Sequence, residues 1–404
     1  MYPTIADTLE LTAEKYPDKP GLIYPYRDQD WTYAEFDAKA NQLANALLDL
    51  GVEKGDRVGT VLFNGSEQIL TVFACSKIGA VFTPLNFRLP AGEIEFILND
   101  AEADVVIYDE STAEAVEGAR PDLETVSEYV YVDADGPEGA HGFYDLLEGE
   151  SAENPGVDVA EDDVYAFMYT SGTTGRPKGV VHEHRDMIEH NLICIAEGGI
   201  RRDDVGLSAL PLYHCAELQA ALFPRIQMGA TNVVLHEFDP VEVLQTIEAY
   251  DVSVFFGAPT AWNAMAQVAG DVDADTSSLR LGLYGAAPMP EEPAEEAAPL
   301  AAQQQETEEA DVEQAGAEDA ADTNGDIAVA SEGAGEEAAA GKEAGATQEN
   351  ELLPISPDEP EVAAPETPED RGQRATFPPK GLSAVLGILT LILAALTFWF
   401  SRRT

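Results

Sequence analysis

The segment from Tyr169 to Gly179, YTSGTTGRPKG, constrains this chain most, because its composition suits neither a regular helix nor a regular strand. Three glycines permit positive φ angles and close approach of backbone N–H groups to a ligand. Three threonines and one serine add hydroxyl donors, and Lys178 adds a cation. Apolar runs at 165–168 and 180–181 predict a strand on either side. The segment therefore predicts a phosphate-binding loop between two strands.

Two alternatives to a phosphate-binding loop are weaker. The Walker A motif of P-loop NTPases has a lysine directly after its last glycine, whereas Arg176 follows Gly175 here. A flexible turn of glycine and threonine is the second alternative, but a turn between two strands has little need of so many hydroxyls.

Helical and strand patterns alternate along the first 285 residues. Thr32 and Glu35 form a capping box ahead of apolar residues at helical spacing, and Gly51 is placed to end that helix. Strands are predicted at 58–63, 81–84, 105–108, 129–132, 206–210, 232–235, 254–258 and 281–284, and helices at 67–78, 92–99, 185–196, 216–228, 241–250 and 259–269. The alternation predicts an α/β fold with doubly wound sheets and flanking helices. Ligands of such sheets bind beyond the carboxyl ends of the strands, so three loops, after 168, 210 and 284, are expected to converge on one edge.

Four motifs in this order resemble landmarks of the AMP-forming acyl-CoA synthetase superfamily. They are PLNFRL at 84–89, the segment 169–179, PLYHC at 211–215 and YGAAP at 284–288. The resemblance covers about residues 1–290 and implies an incomplete adenylate-forming N-terminal domain.

The resemblance implies a reaction in two steps. A carboxylate attacks the α-phosphate of ATP and pyrophosphate leaves, after which the thiol of coenzyme A attacks the acyl-adenylate and AMP leaves. The implied substrate is a small fatty or aryl carboxylic acid. It implies that the β- and γ-phosphates are held by Thr170, Ser171, Gly172, Thr173, Thr174, Gly175 and Lys178, and that Thr170 also contributes to a Mg²⁺ site. It further implies that His214 is catalytic, closing the acyl pocket near the carboxylate, and that Gly285, Ala286, Ala287 and Pro288 lie against the adenine. Phe255, Phe256 and Trp262 are either walls of the acyl pocket or ordinary core residues.

The charge of the chain is extreme, with 75 acidic against 22 basic residues and a formal net charge of −53. Such a charge argues against a nucleic-acid binder, which has to neutralise phosphates. Residues 1–290 alone hold 50 acidic and 16 basic residues, so the acidity is not confined to a tail. An acidic surface throughout a folded domain predicts a halophilic protein, because high salt screens the self-repulsion.

The cysteines and a group of histidines suggest no separate site. Cys75, Cys194 and Cys215 each lie in or beside an apolar stretch without paired spacing, so we expect reduced core residues. Cys215 could be a nucleophile beside His214, but no nucleophile-elbow motif surrounds it. The residues His182, His184 and His190 lack acidic or cysteine partners at ligand spacing and are expected to face solvent or to lie in loops.

The composition changes sharply near Pro290. Residues 291–370 contain 25 acidic residues and no aromatic one, which predicts a disordered acidic linker extending to residue 380. Residues 381–401 carry no charge, which predicts a transmembrane helix; a buried C-terminal helix is the alternative. No signal peptide is visible, so we expect a membrane-anchored protein whose main domain, 1–290, is cytoplasmic.

The superfamily's downstream motifs and its lid with the catalytic lysine are not found after residue 290. Losing such groups removes transition-state stabilisation, so we expect little activity from this chain alone. Three interpretations stay open: an acyl-CoA synthetase that is weak or completed by another polypeptide, a non-catalytic membrane-tethered nucleotide- or acyl-binding protein, and the remnant of a truncated or fused gene.

Overall fold

The structure, a computed structural model, describes residues 3–170 and 176–285. The strands are β1 (Pro20–Tyr24), β2 (Gln29–Thr32), β3 (Arg57–Val61), β4 (Val81–Leu85), β5 (Val105–Tyr108), β6 (Glu128–Tyr131), β7 (His141–Gly142), β8 (Val164–Thr170), β9 (Lys178–Glu183), β10 (Val205–Ser208), β11 (Thr231–Val234), β12 (Val254–Gly257) and β13 (Leu281–Tyr284). The α-helices are α1 (Ile5–Lys15), α2 (Tyr33–Asp49), α3 (Ser66–Ile78), α4 (Ala91–Asp100), α5 (Ala113–Ala119), α6 (Phe143–Leu147), α7 (His184–Gly198), α8 (Cys215–Glu217), α9 (Phe223–Met228), α10 (Pro240–Ala249) and α11 (Pro259–Val268). A π-helical segment, Leu218–Leu222, joins α8 to α9.

The strands form two sheets. The first sheet has the order β13-β12-β10-β11-β1-β2, and its strands are parallel except for the hairpin of β1 and β2. The second sheet has the order β7-β6-β5-β3-β4-β8-β9 and is parallel except for the hairpin of β8 and β9. The prediction of an α/β fold with flanking helices is confirmed for this part of the chain.

Helices occupy three layers around the two sheets. The largest core joins both sheets through α1, α2 and α3, and α3 is buried along its whole length because it lies between them. A second core packs α4 and α5 on the outer face of the second sheet, and a third packs α10 and α11 on the outer face of the first. Both sheets are therefore covered on both faces, as parallel sheets require.

Local sequence signals explain several helix ends. Thr32 and Glu35 form the predicted capping box of α2, with the Thr32 side chain accepting the N–H of Glu35. Thr4 and Asp7 form a second capping box at α1, a helix that the sequence did not predict. Most predicted strands and helices agree with the structure to within one or two residues, whereas β1, β2, β7, α5 and α6 were not predicted.

The prediction that all three cysteines are core residues holds fully for one of them. Cys75 is buried in α3, as predicted, and all three thiols are free. Cys194 is half-buried on α7. The core prediction is wrong for Cys215, which is exposed because it opens α8 at the end of a loop that leaves the sheet.

The prediction that three histidines face solvent or lie in loops is wrong. His182 lies on β9 and His190 on α7, both half-buried, and His184 is fully buried at the start of α7. Nδ1 of His184 accepts the N–H of Ile5 at 3.2 Å and so joins α1 to α7. Burial lowers the pKa of His184 and of His182 to about 4, which keeps both rings neutral at pH 7.

Two of the expectations concern residues outside the described ranges, namely the acidic linker 291–380 and the transmembrane helix 381–401. Among the helices within 3–170 and 176–285, none has the length and apolar character needed to span a bilayer.

Candidate functional site

The described flanks of the glycine-rich segment belong to the hairpin formed by β8 and β9. Thr170, the last residue of β8, is paired across the hairpin with Lys178, the first residue of β9. Both residues are exposed, so the hydroxyl and the ammonium group face solvent at the mouth of the turn. The residues that complete the predicted phosphate loop lie outside the described ranges: Ser171, Gly172, Thr173, Thr174 and Gly175.

His214 ends the loop that follows β10. It is the N-cap of α8, where its Nδ1 accepts the N–H of Ala216 at 3.1 Å. Surrounding protein atoms lower the pKa of His214, although the residue is exposed. The ring is therefore neutral at pH 7, and with Nδ1 accepting, its proton is on Nε2.

Gly285 follows β13 directly and is buried. In the first sheet β13 is separated from β10 by β12 alone, and the three strands run parallel. The loop that carries His214 and the turn that begins at Gly285 thus leave the same edge of that sheet. The predicted adenine residues Ala286, Ala287 and Pro288 lie outside the described ranges.

A cleft of about 270 Å³ lies where the carboxyl edges of the two sheets meet. Its walls come from the segments that follow five parallel strands, β3 and β4 of the second sheet and β10, β11 and β12 of the first. The lining residues are Asn64, Phe87, Arg88, Ala209, Leu210, Pro211, His236, Glu237, Phe238, Thr260 and Ala261. Of the three loops expected to converge, the one after residue 210 lines this cleft, whereas no described residue of the loops after 168 and 284 does.

Asn64 connects the two sides of the cleft. It is 4% exposed, and its Nδ2 donates to the carbonyl of Leu210 at 2.9 Å while its Oδ1 accepts the N–H of Leu212 at 2.8 Å. Its own N–H donates to the carbonyl of His236 at 3.2 Å. One asparagine of the second sheet thus fixes two loops of the first, including the loop that ends at His214. No sequence pattern singles out Asn64.

Two lining residues of the cleft, Phe87 and His236, belong to a column of stacked flat side chains. The imidazole of His236 stacks on Tyr26 at 4.1 Å and on Phe63 at 4.9 Å between ring centroids, and Phe63 stacks on Phe87 at 3.8 Å. The guanidinium of Arg88 lies 4.6 Å from the centroid of the Phe87 ring. Phe87 and His236 give the cleft an aromatic side, and Arg88 adds a cation at its end. Phe87 and Arg88 belong to the PLNFRL motif, whereas no sequence signal singled out Phe63 or His236.

The suggested acyl-pocket residues pack elsewhere. Phe255 is fully buried in the outer core of the first sheet and contacts Trp262 edge-to-face at 5.2 Å. Trp262 donates its Nε1–H to the carbonyl of Leu283 at 3.0 Å, and Phe256 is 6% exposed. None of the three lines the cleft, so the core interpretation is the one that fits.

A buried ion pair lies behind the His214 loop. Glu217 and Arg225 are each 1% exposed, and Oε1 of Glu217 is 3.3 Å from Nη2 of Arg225. Arg225 also donates to the carbonyl of Leu207 at 3.0 Å and to the hydroxyl of Ser208 at 2.5 Å, both on β10. The pair spans the π-helical segment and holds the helix that follows His214 against the sheet.

The described side chains give limited support for a metal site. Within the described ranges no group of three or more histidine, cysteine, aspartate or glutamate residues could hold a metal ion. Mg²⁺ usually takes one or two protein oxygens together with substrate phosphates and water, and the exposed hydroxyl of Thr170 fits that kind of ligand.

Comparison with known proteins agrees with the motifs and the fold. A family model described as AMP-binding enzyme matches residues 9–310. The long-chain-fatty-acid–CoA ligase FadD13 of Mycobacterium tuberculosis is 34% identical over 286 residues, covering 70% of this chain and 55% of that protein. A feruloyl-CoA synthase of an Amycolatopsis species is 37% identical over 259 residues, covering 64% of this chain and 50% of that protein. The chain thus spans about half the length of the curated relatives it matches.

Solved structures show the same relationship. The inhibitor-bound N-terminal domain of FACL13 from M. tuberculosis aligns with a TM-score of 0.67 at 32% identity, covering 72% of this chain and 71% of that one. ATP-bound MatB from Rhodopseudomonas palustris aligns with a TM-score of 0.61 at 28% identity, covering 70% and 55%. Motifs, sheet topology and sequence similarity together show that the chain belongs to the AMP-binding enzyme family, of which it matches the N-terminal portion.

Proposed function

We propose that this protein takes part in the ATP-dependent adenylation of a carboxylic acid and its transfer to coenzyme A. The observation that carries the proposal is the pairing of Thr170 with Lys178 at the end of the hairpin, where the sequence between them, SGTTGRP, holds two glycines, two threonines and one serine. A hydroxyl and an ammonium group facing each other at such a turn are suited to the oxygens of a triphosphate. They stabilise the charge that grows on pyrophosphate as it leaves.

The other predicted residues receive roles that follow from their positions. Nε2–H of the neutral His214 is a hydrogen-bond donor, which suits an oxygen of the substrate carboxylate. The segment from Gly285 to Pro288 begins at the same sheet edge and is assigned to the adenine. Mg²⁺, held by Thr170 and the phosphates, would neutralise phosphate charge when bound.

The substrate class follows from the cleft and the relatives. The aromatic lining residues Phe87 and His236 favour an apolar acyl or aryl group, and Arg88 beside them favours an anion. The printed names of two relatives specify a long-chain fatty acid and a feruloyl group. We therefore propose a fatty or aryl carboxylic acid.

The wider setting is also a proposal, because the chain spans about half the length of those relatives. We propose that a completing polypeptide participates in the full reaction, that the chain alone is slow, and that residues 381–401 anchor a cytoplasmic domain to a membrane.

Pyrophosphate release from ATP tests the function. The full chain would be assayed with fatty and aryl acids, with and without coenzyme A, beside Lys178→Ala and the control Lys15→Ala, which removes an exposed lysine at the end of α1. We expect acid-dependent release that Lys178→Ala lowers about tenfold or more, the loss typical of one electrostatic contact to a leaving group. Calorimetric ATP binding without release would support the non-catalytic alternative, and no binding would overturn the proposal.

A further inference from the structure

Two side chains of α4 contact the two described flanks of the glycine-rich segment. On the incoming flank, the hydroxyl of Tyr169 donates to Oδ2 of Asp100 at 2.7 Å. On the outgoing flank, the guanidinium of Arg176 lies 5.1 Å from the centroid of the Phe96 ring. Phe96 and Asp100 are four residues apart, so they lie on one face of the helix.

The hairpin itself is shaped for the first of these contacts. Tyr169 is the cross-strand partner of Gly179, and the ring of Tyr169 covers that glycine. A Cβ at Gly179 would lie 3.0 Å from Cζ and 3.2 Å from the hydroxyl oxygen of Tyr169. A side chain at position 179 would therefore displace the Tyr169 ring, which bonds to Asp100. The need for glycine at this position thus comes from the space that the ring occupies and not from the backbone conformation.

The helix that makes these contacts is firmly held. Ile94, Ile97 and Leu98 of α4 are buried in the outer core of the second sheet. Asn99 donates to the carbonyl of Asp122 at 3.0 Å and accepts the N–H of Glu124 at 2.8 Å. A fixed helix that contacts both ends of a loop restricts where the loop can lie.

The negative charge of Asp100 is unfavourable where it lies, and its hydrogen bond with Tyr169 offsets that cost. It is the last residue of α4, where a negative charge meets the negative end of the helix dipole and is unfavourable. Asp49, the last residue of α2, is exposed in the same way and has the same disadvantage. Asp49 therefore provides a matched control for any change at Asp100.

We propose that the face of α4 formed by Phe96 and Asp100 positions Thr170 and Lys178 for the triphosphate. The inference rests on the proposed function, since it assigns a purpose to the same hairpin. Asp100 and Phe96 are positioning residues, because they act through Tyr169 and Arg176 and do not themselves contact the nucleotide.

Calorimetric titration of the full chain with Mg·ATP tests this positioning. Asp100→Ala and Tyr169→Phe are each expected to weaken binding about three- to tenfold, the range that follows from losing one ordering hydrogen bond. The double variant should lose no more than either single one, because both remove the same bond. Asp100→Asn keeps an acceptor and should bind like the unmodified protein, as should Asp49→Ala, while all thermal midpoints stay close together.

A second measurement separates failure of the inference from failure of the proposed function. In the nucleotide-free chain, Asp100→Ala should speed amide hydrogen exchange in β8 and β9 next to the turn, whereas Asp49→Ala should not. Faster exchange with no ATP binding by the unmodified protein would leave the contact intact and refute the nucleotide role. Equal exchange and equal affinity in Asp100→Ala and Asp49→Ala, or additive losses in the double variant, would overturn the inference.

Discussion

Replacing Arg225 by methionine removes one member of a fully buried ion pair while keeping a side chain of similar length. The variant loses the contacts of the guanidinium with Glu217, with the carbonyl of Leu207 and with the hydroxyl of Ser208. It leaves the carboxylate of Glu217, 1% exposed, without its counter-charge. Breaking a buried pair from one side typically costs about 3–5 kcal/mol of unfolding free energy.

The cost should depend on pH in a direction that follows from Glu217. Burial raises the pKa of Glu217 from 4.5 to about 7, and the charge of Arg225 opposes that rise. A raised carboxyl pKa contributes stability below pH 4.5, and this contribution is lost as the pH rises towards the folded-state pKa. Removing Arg225 raises the pKa further, so Arg225→Met should be more harmful at pH 8 than at pH 5.

The partner variants distinguish the ion pair from simple packing. Glu217→Gln leaves the guanidinium without a counter-charge and should also destabilise, but without relief at pH 5, because glutamine does not titrate. The double variant Glu217→Gln, Arg225→Met buries no charge at this position and should recover part of the loss. Urea unfolding followed by circular dichroism at both pH values, at fixed salt, provides the free energies. A loss below about 1 kcal/mol in both single variants, or a double loss equal to their sum, would refute this reasoning.

Other substitutions give smaller tests. Asn64→Leu should lose about 2–4 kcal/mol, because two buried backbone groups of the opposite loop lose their partner, and an unchanged urea midpoint would show that the loops hold without it. Gly206→Ala should cost about 1–3 kcal/mol of unfolding free energy, because its Cβ would lie 2.2 Å from Cδ of Arg225. Gly270→Ala, whose Cβ would have no atom within 4 Å, is the control. Equal urea midpoints for the two variants would contradict the prediction. The stability that neutral His184 provides is present above pH 6.5 and is lost as the pH falls towards 4. His184→Asn should therefore reduce the loss of unfolding free energy between pH 6.5 and pH 4. An unaltered dependence of that free energy on pH would exclude this titration. Raising KCl from about 0.1 M to about 2 M should raise the thermal midpoint if the acidic surface is halophilic, and a constant midpoint would argue against that origin.

The regular elements were readable because local signals determine them. The capping box at Thr32 and Glu35, the apolar runs of the parallel strands and the glycine-rich hairpin tip each occupy fewer than about twenty residues. The two-sheet arrangement was not readable, because it depends on pairs such as Leu22 with Asn232, which are far apart in the sequence. No local pattern states which strands become neighbours.

Helix α1 was missed for a different reason. The outward side of α1 is polar, and Thr8 and Thr12 are buried on its inward side, so its apolar stripe is interrupted by hydroxyls. The hydroxyl of Thr12 donates to the carbonyl of Ile226 at 3.1 Å, a tertiary partner that the sequence does not reveal. Periodicity of apolar residues underestimates helices of this kind.

The structure also explains why the site was only half visible in the sequence. The residues proposed to bind phosphate through their own side chains, Thr170 and Lys178, occur in a recognisable motif. Asn64 works by fixing the loop of another sheet, so its sequence neighbourhood contains no sign of its partners. Because the walls of the cleft come from two sheets, its shape depends on how those sheets are held together at their carboxyl edges. Asn64 is one such connection within the described residues, so its loss is expected to change the cleft although it is not proposed to contact a substrate.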